Sequence, residues 1–386
     1  MNYFVLSDAL RIALISPPWY PIPPKGYGGI ELVVHLLHQE LRRMGHHVTV
    51  LGVEGSGPGV EVLAPSEWIN DLGTPVQPVR EATFLMRAFD RLQRGEFDVV
   101  HDHVGAVGLL ALSVSGISSV AVHTIHGPIS ESMATLYRQA QDRVRLVAIS
   151  ASQAATAPDV AVAGIVYNAV DTDVPIEIHK DGYLLELARI TPDKGQHLAI
   201  EVAERTGRQL VLAGKVERTE VGERYFREHI APALGDQVRY IPNVSGREKQ
   251  QLIARAAAGV FPLQWPEPFG LAMAECMVAG TPVIAFGVGA APELIEPGLT
   301  GFIARDVDQM VAAVGLLEEI DPAACAAEAR RRFSPRRMAE GYLKIYRQEE
   351  AAVPELDWKV IEKAPPSPRA SRPSPAREIW DDFPEE

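Results

Sequence analysis

Two carboxylates, Glu267 and Glu275, stand eight residues apart in the run WPEPFGLAMAE (265–275). Pro268 has a fixed φ and no N–H, which suits the first turn of a helix. FGLAMAECMVAG then carries a helical pattern on to Gly280. At such a helix start the amides of Phe269, Gly270 and Leu271 lack intrahelical partners. With the helix dipole they form a site for phosphate or sugar oxygens. Gly270 has no side chain to hold a ligand off the backbone. On a regular helix the two carboxylates would lie roughly 12 Å apart along the axis. Carboxylate pairs that cleave a glycosidic bond sit at about 5–9.5 Å, so this spacing better suits holding two ends of one extended ligand. A second turn, FGVGAAPELIE (286–296), is rich in small residues that permit close backbone approach.

Cations are the second ingredient. In ARITPDKG (188–195), Arg189 leaves a strand end and Lys194 follows the turn Thr191-Pro192-Asp193. An arginine fork and a lysine point charge at the mouth of a parallel sheet can clamp a diphosphate. Alone the motif is weak, since loop cations are usually solvated; facing an anion-seeking helix start it gains meaning. Between the first strand and the first helix lies SPPWYPIPPKGYGGI (16–30). Gly26, Gly28 and Glu31 fit G-x-G-x-x-E, but the third glycine of a dinucleotide fingerprint is missing and the loop is too long for its tight turn. Gly28 and Gly29 still offer backbone donors to a phosphate or hydroxyl. His101, His103, His123 and His126 gather at two strand ends. No carboxylate joins them with metal-ligand spacing, and Asp102 points to the opposite face from His101 and His103, so no metal site is expected. His126, before Gly127, is placed as a hydrogen-bond donor in a cleft.

The elements that must position these groups alternate between strand and helix. Residues 11–16, 47–52, 97–101, 119–125 and 144–149 read as buried strands, and Val33, Leu37, Leu41 and Met44 mark one face of a helix closed by Gly45. The second half repeats the pattern with strands at 183–187, 208–213, 237–241, 259–263, 282–286 and 301–304, separated by helical stretches such as 195–206 and 246–258. This predicts an α/β protein of two Rossmann-like, doubly wound domains facing across a cleft, with ligands outside the carboxyl ends of the strands. The polar run 167–182 reads as a hinge. The N-terminal domain is expected over 1–168, joined by a returning helix at about 333–350. The C-terminal domain is expected over 169–332, and a disordered Pro-rich tail over 351–386.

The length of 386 residues permits two full cores. Thirty-seven basic against fifty acidic residues, net −13, argue against a nucleic-acid binder. Cys276 and Cys325 read as reduced, buried thiols. Neither a basic leader with a cleavage site nor an apolar run long enough for a membrane span is present, so a cytoplasmic location is expected, with membrane contact at most peripheral.

The motifs resemble those of the retaining glycosyltransferases of family 4, which have the GT-B fold. Glu267 and Glu275 resemble the family's E-x7-E pair, ARITPDKG its Arg-(x)4-Lys-Gly segment, YNAVD (167–171) its Y-N-G-V-D linker, and GAAPELI its G-G-x-P-E-[LI] segment. The glycine loop and TIHG (124–127) also match, and FSPRRMAEGYLKIYRQ (333–348) resembles the helix that crosses back to the first domain. The resemblance spans about residues 10–350 and implies that the N-terminal domain is the acceptor side and that the C-terminal domain binds the nucleotide sugar. Ala169 and Ala290 stand where the family usually has glycine.

It implies that Arg189 and Lys194 bind the donor diphosphate and stabilise the departing charge. It further implies that Glu275 holds ribose hydroxyls and that Glu267 holds hydroxyls of the donor sugar. Amides near Phe269, Gly270 and Leu271 would contact sugar and phosphate. His126 would approach the reactive end of the sugar, Gly28 and Gly29 would border the phosphate, and Gly214 would join the donor-binding set. The implied activity is metal-independent, retaining transfer of a hexose-type sugar from a UDP- or GDP-linked donor, with no further cofactor. The acceptor is a saccharide, a lipid-linked glycan or a natural product. A nucleotide-sugar epimerase and a non-catalytic nucleotide-sugar-binding protein are the alternatives on the same scaffold.

Overall fold

The structure, a computed structural model, describes residues 9–95 and 97–349; the tail expected over 351–386 lies outside the described residues. Short apolar runs form the strands β1 (Arg11–Ile15), β2 (His47–Val53), β3 (Val60–Ala64), β4 (Val99–Asp102), β5 (Val120–Ile125), β6 (Arg145–Ala148) and β7 (Val162–Ile165). They make one parallel sheet in the order β3-β2-β1-β4-β5-β6-β7. A second sheet contains β8 (Leu184–Leu187), β9 (Leu210–Ala213), β10 (Val238–Ile241), β11 (Ala258–Phe261), β12 (Val283–Phe286) and β13 (Gly301–Ala304), in the order β10-β9-β8-β11-β12-β13. In each sheet the order reverses beside its first strand, between β1 and β4 and between β8 and β11. Such a switch point opens a crevice at the carboxyl edge.

Strands β3 and β7 were not foreseen. Both are edge strands: VEVLA is interrupted by a half-buried glutamate and leaves Val62 exposed, and VAGI has a glycine in its middle. An edge strand needs apolar residues on less of its surface, so its signal is weaker.

Helices cover both faces of the sheets. The first half carries α1 (Gly29–Arg43), α2 (Gln77–Arg94), α3 (Ala106–Val114), α4 (Glu131–Ala140) and α5 (Ala151–Ala155). The second carries α6 (Gln196–Thr206), α7 (Glu220–Tyr225), α8 (Gly246–Arg255), α9 (Leu271–Val278), α10 (Ala291–Leu294), α11 (Val307–Val314), α12 (Pro322–Phe333) and α13 (Pro335–Arg347). One face of the first sheet packs on Phe84, Leu85, Leu109 and Leu112 from α2 and α3. The other packs on Val33, Leu37 and Leu41 of α1 together with Met338, Tyr342 and Tyr346 of α13. Thus α13, though last in the described chain, lies on the first sheet. Its Tyr342 hydroxyl bonds Thr124 Oγ1 at 2.9 Å and its Tyr346 hydroxyl bonds His101 Nδ1 at 2.8 Å.

The connection after β7 begins differently from the solvated hinge that its polar composition suggests. Asn168, Ala169 and Val170 are buried, and the Val170 amide donates to the Phe333 carbonyl at 3.1 Å. Helix α8 is also shorter than expected, ending at Arg255 because Ala258 already belongs to β11. Among the described residues no helix is long and apolar enough to cross a membrane.

Candidate active-site cleft between the two sheets

A cleft of about 720 Å³ lies along the carboxyl ends of β1, β4 and β5 on one side and of β8 and β11 on the other. It is lined by Gly28, Gly29, His126, Arg189, Lys194, Glu267, Phe269, Gly270 and Leu271. Two helix starts meet at this gap. Helix α1 begins at Gly29 after Gly28, and α9 begins at Leu271 after Gly270. A Cβ added to Gly29 would stand 3.0 Å from Leu271 Cδ1, so the two starts come almost into contact.

The helix of the WPEPFGLAMAE run starts three residues later than the proline suggested. Gly270 adopts φ +95°, a left-handed value that turns the chain into α9, so Pro268 and Phe269 lie before the helix. The amides that open it are therefore those of Leu271 and Ala272, since Met273 N–H already donates to the Gly270 carbonyl at 3.0 Å. Phe269 is buried and packs on Phe333 and Tyr167, anchoring the loop. Glu267 accordingly sits on a loop and not on the helix of Glu275. Gly289, at φ +57°, lets the second small-residue turn close on this loop: any Cβ there would lie 2.4 Å from the Glu267 amide nitrogen.

Each cation of the cleft has a carboxylate companion. Lys194 is 11% exposed, pairs with Glu267, and lies 4.6 Å from the centre of the Trp265 ring. Arg189 is 41% exposed and donates to Glu217 Oε1 at 2.6 Å. The turn that carries them is fixed from behind by buried Gln196, whose Nε2 donates to the Arg189 carbonyl at 2.9 Å and to Glu186 Oε1 at 3.1 Å. Burial pushes the Glu186 carboxyl up to about 8.

Two of the predicted donor-site residues lie elsewhere. Glu275 does not line the large cleft; it lines a neighbouring pocket of about 200 Å³ with Lys25, Gly26, Asp171, Ser245 and Lys249, and accepts from Lys249 Nζ at 2.6 Å. It lies one helical turn further along α9 than Leu271, deeper from the start that opens on the cleft. Gly214 lines neither pocket. Its φ is +148° and a Cβ there would lie 1.9 Å from the Ala188 carbonyl oxygen, so the glycine serves the packing of β9's end against β8's.

The histidines separate into two sets. Asp102 accepts from His123 Nδ1 at 2.7 Å, both fully buried, whereas His103 Nδ1 and His126 Nε2 share a 2.8 Å bond. Burial, reinforced by neighbouring imidazoles, holds His103 and His126 well below the ordinary histidine range. Among the described residues no cluster suited to a metal ion is found. Among the residues whose place in the cleft was not foreseen are Glu31, Trp265, His103 and His123. Burial pushes Glu31 up to about 7, and Trp265 Nε1 is buried without a protein partner. The G-x-G-x-x-E spacing and the histidine cluster were signals for three of these; Trp265 had only its proximity to Glu267.

A second cavity, about 690 Å³, opens by the hinge and contains none of the predicted site residues. Beside it Glu293 of α10 accepts from the Ala151 and Ser152 amides at 2.8 and 2.5 Å and from the Tyr167 hydroxyl at 3.0 Å. A carboxylate from the second half thus caps a helix of the first.

Residues 27–174 match the family described as Glycosyltransferase Family 4, and residues 172–336 the family described as Glycosyl transferases group 1. The chain is 31% identical over 362 residues to the MMP alpha-(1->4)-mannosyltransferase of Mycolicibacterium hassiacum, covering 75% of this chain and 86% of that one. It is 26% identical over 383 residues to the D-inositol 3-phosphate glycosyltransferase of Mycolicibacterium paratuberculosis, covering 84% and 86%. Among solved structures, AviGT4, a glycosyltransferase involved in avilamycin A biosynthesis, superposes with a TM-score of 0.67 at 25% identity, over 89% of this chain and 98% of that one.

Proposed function

This chain belongs to glycosyltransferase family 4 and has the GT-B fold, and we propose that it moves a hexose-type sugar from a UDP- or GDP-linked donor to an acceptor hydroxyl, with retention and without a metal ion. The observation that carries this reading is the meeting, in one cleft, of Arg189, Lys194 and the starts of α1 and α9. When the sugar–phosphate bond breaks, negative charge grows on the diphosphate and positive character on the anomeric carbon. Fixed cations and helix amides aimed at the diphosphate stabilise the first without reorganising at the moment of reaction. Lys194, held between Glu267 and Trp265, supplies the preset charge. Arg189, more exposed, exchanges Glu217 for phosphate oxygens.

Glu267, at the cleft, accepts hydroxyls of the donor sugar, and His126 lies near its reactive end. Glu275 in the adjoining pocket takes the ribose hydroxyls, so the donor runs from that pocket past the α9 start into the cleft. Retention follows from attack on the face the diphosphate leaves, the departing phosphate taking the acceptor's proton. Two cations occupy the electrostatic role that a divalent ion fills elsewhere. The relatives' names, a mannosyltransferase and a D-inositol 3-phosphate glycosyltransferase, support transfer of a sugar to a polyhydroxylated acceptor.

The test has two stages. UDP or GDP should raise the melting temperature of the protein by mass action. The nucleotide sugar that binds is then incubated with acceptors in EDTA and the product's anomer read by NMR. Retained configuration is expected. An inverted anomer, or activity abolished by EDTA, overturns the mechanism, and a change in the sugar with no acceptor present identifies the epimerase.

A further inference from the structure

The two walls of the cleft differ in charge. Both of its lysine and arginine side chains, Arg189 and Lys194, come from the second sheet. The first-sheet wall contributes no lysine or arginine among the described lining residues. It presents instead Glu81, His103, His123 and His126, with Trp19 and Tyr137 as apolar surface.

The imidazoles are prepared for a neutral partner. Asp102 accepts from His123 Nδ1, which leaves Nε2 as the ring's other polar atom; that atom is buried and has no protein partner. Gly108 makes room for this carboxylate, since a Cβ there would lie 2.4 Å from its oxygens. His103 Nε2 is likewise buried without a protein partner, its other nitrogen being engaged by His126. Two unpartnered buried nitrogens on one wall imply that something polar completes them.

We infer that the first-sheet wall is an acceptor subsite for an uncharged, polyhydroxylated compound, whose hydroxyls are held by His123 Nε2, His103 Nε2 and the Glu81 carboxyl, and which excludes phosphorylated analogues. This rests on the transferase reading above and specifies its second substrate. A hydroxyl, which both donates and accepts, can pair with His123 Nε2 and donate to Glu81. A phosphate dianion there would face Glu81 and Glu31 with no cation on its own side. His103 and His126, whose burial disfavours protonation, would not neutralise it. His123 binds the hydroxyl and Asp102 is a positioning residue that sets its tautomer; the proton still leaves with the diphosphate.

The experiment uses the full chain with UDP-[14C]glucose and GDP-[14C]mannose and matched acceptor probes: methyl glucoside and glucose 6-phosphate, maltose and maltose 1-phosphate, myo-inositol and its monophosphate. The uncharged member of each reacting pair should win by about tenfold or more in kcat/KM. His123→Ala should raise the acceptor KM by about tenfold while the donor KM and the nucleotide-induced melting shift stay put, and His123→Gln, which keeps an acceptor oxygen, should recover part of the loss. A phosphorylated probe used as well as its neutral partner overturns the inference. So does failure of every neutral probe while the nucleotide still binds, and so does a His123→Gln or Glu81→Gln protein with unchanged acceptor KM. If neither UDP nor GDP binds, the donor reading fails first and this inference with it.

Discussion

The two walls of the cleft start from the same architecture, a parallel sheet whose order reverses beside its first strand, with a glycine-preceded helix opening at its carboxyl edge. They end in opposite electrostatics. The second-sheet wall carries Arg189 and Lys194, each with a carboxylate companion, and the α9 start. The first-sheet wall carries imidazoles and a glutamate driven toward their neutral forms by burial. The contrast teaches that the fold supplies a crevice and free amides, whereas the loops after each strand decide whether that crevice prefers an anion or a neutral ligand.

The sharpest way to break this contrast is to remove charge from the second wall. Arg189→Ala or Lys194→Ala should lower kcat by about 10²–10³ while nucleotide-induced stabilisation is reduced; single-turnover rates check this, and an unchanged rate would show that the cations serve only their present ion pairs.

On the first wall the corresponding experiment is Glu31→Gln, read as stability against pH. The folded carboxyl is raised to about 7, above the 4.5 of an unperturbed glutamate. Its favourable contribution is therefore complete below pH 4.5 and is lost as pH rises through 7, where a buried charge is forced or a proton is held. Glu31→Gln should match the parent protein near pH 4 and exceed it by about 3 kcal/mol at pH 8. Denaturant melts at the two pH values measure the difference, and a constant difference would mean the carboxyl is solvated when charged.

A smaller effect tests the stitch between the halves. Glu293→Ala strips a carboxylate from two amides and the Tyr167 hydroxyl, and should cost about 2 kcal/mol. Glu293→Gln, which keeps one oxygen acceptor, should cost less. Thermal melts distinguish the two, and equal losses would point to the charge instead of the bonds.

Much of this was legible in the chain. The buried strands announced themselves because parallel sheets covered on both faces need near-continuous apolar runs, and the edge strands β3 and β7 escaped because they do not. Arg189, Lys194, Glu267 and the glycines of both helix starts were found because strand-turn-helix punctuation marks the mouth of such a sheet. The exact start of α9 was missed: a proline permits a first turn, but the left-handed Gly270 sets it. Gly214 was given to the ligand, whereas its conformation serves the close approach of Ala188. The spacing of Glu267 and Glu275 suggested two ends of one ligand but not that Glu275 opens on a separate pocket. Spacing measures distance along a helix and carries no information about which pocket a side chain enters.

What the sequence determined by itself was the layering: periodicity 2 and 3.6 in alternation leaves few ways to bury the apolar faces, and two facing sheets is one of them. Tertiary structure alone decided the partners. That Lys194 meets Glu267 across 73 positions and that Asp102 fixes the His123 ring depend on how the finished layers pack. Contacts between residues remote in the chain are set by the shape of the whole core, and no local pattern encodes them.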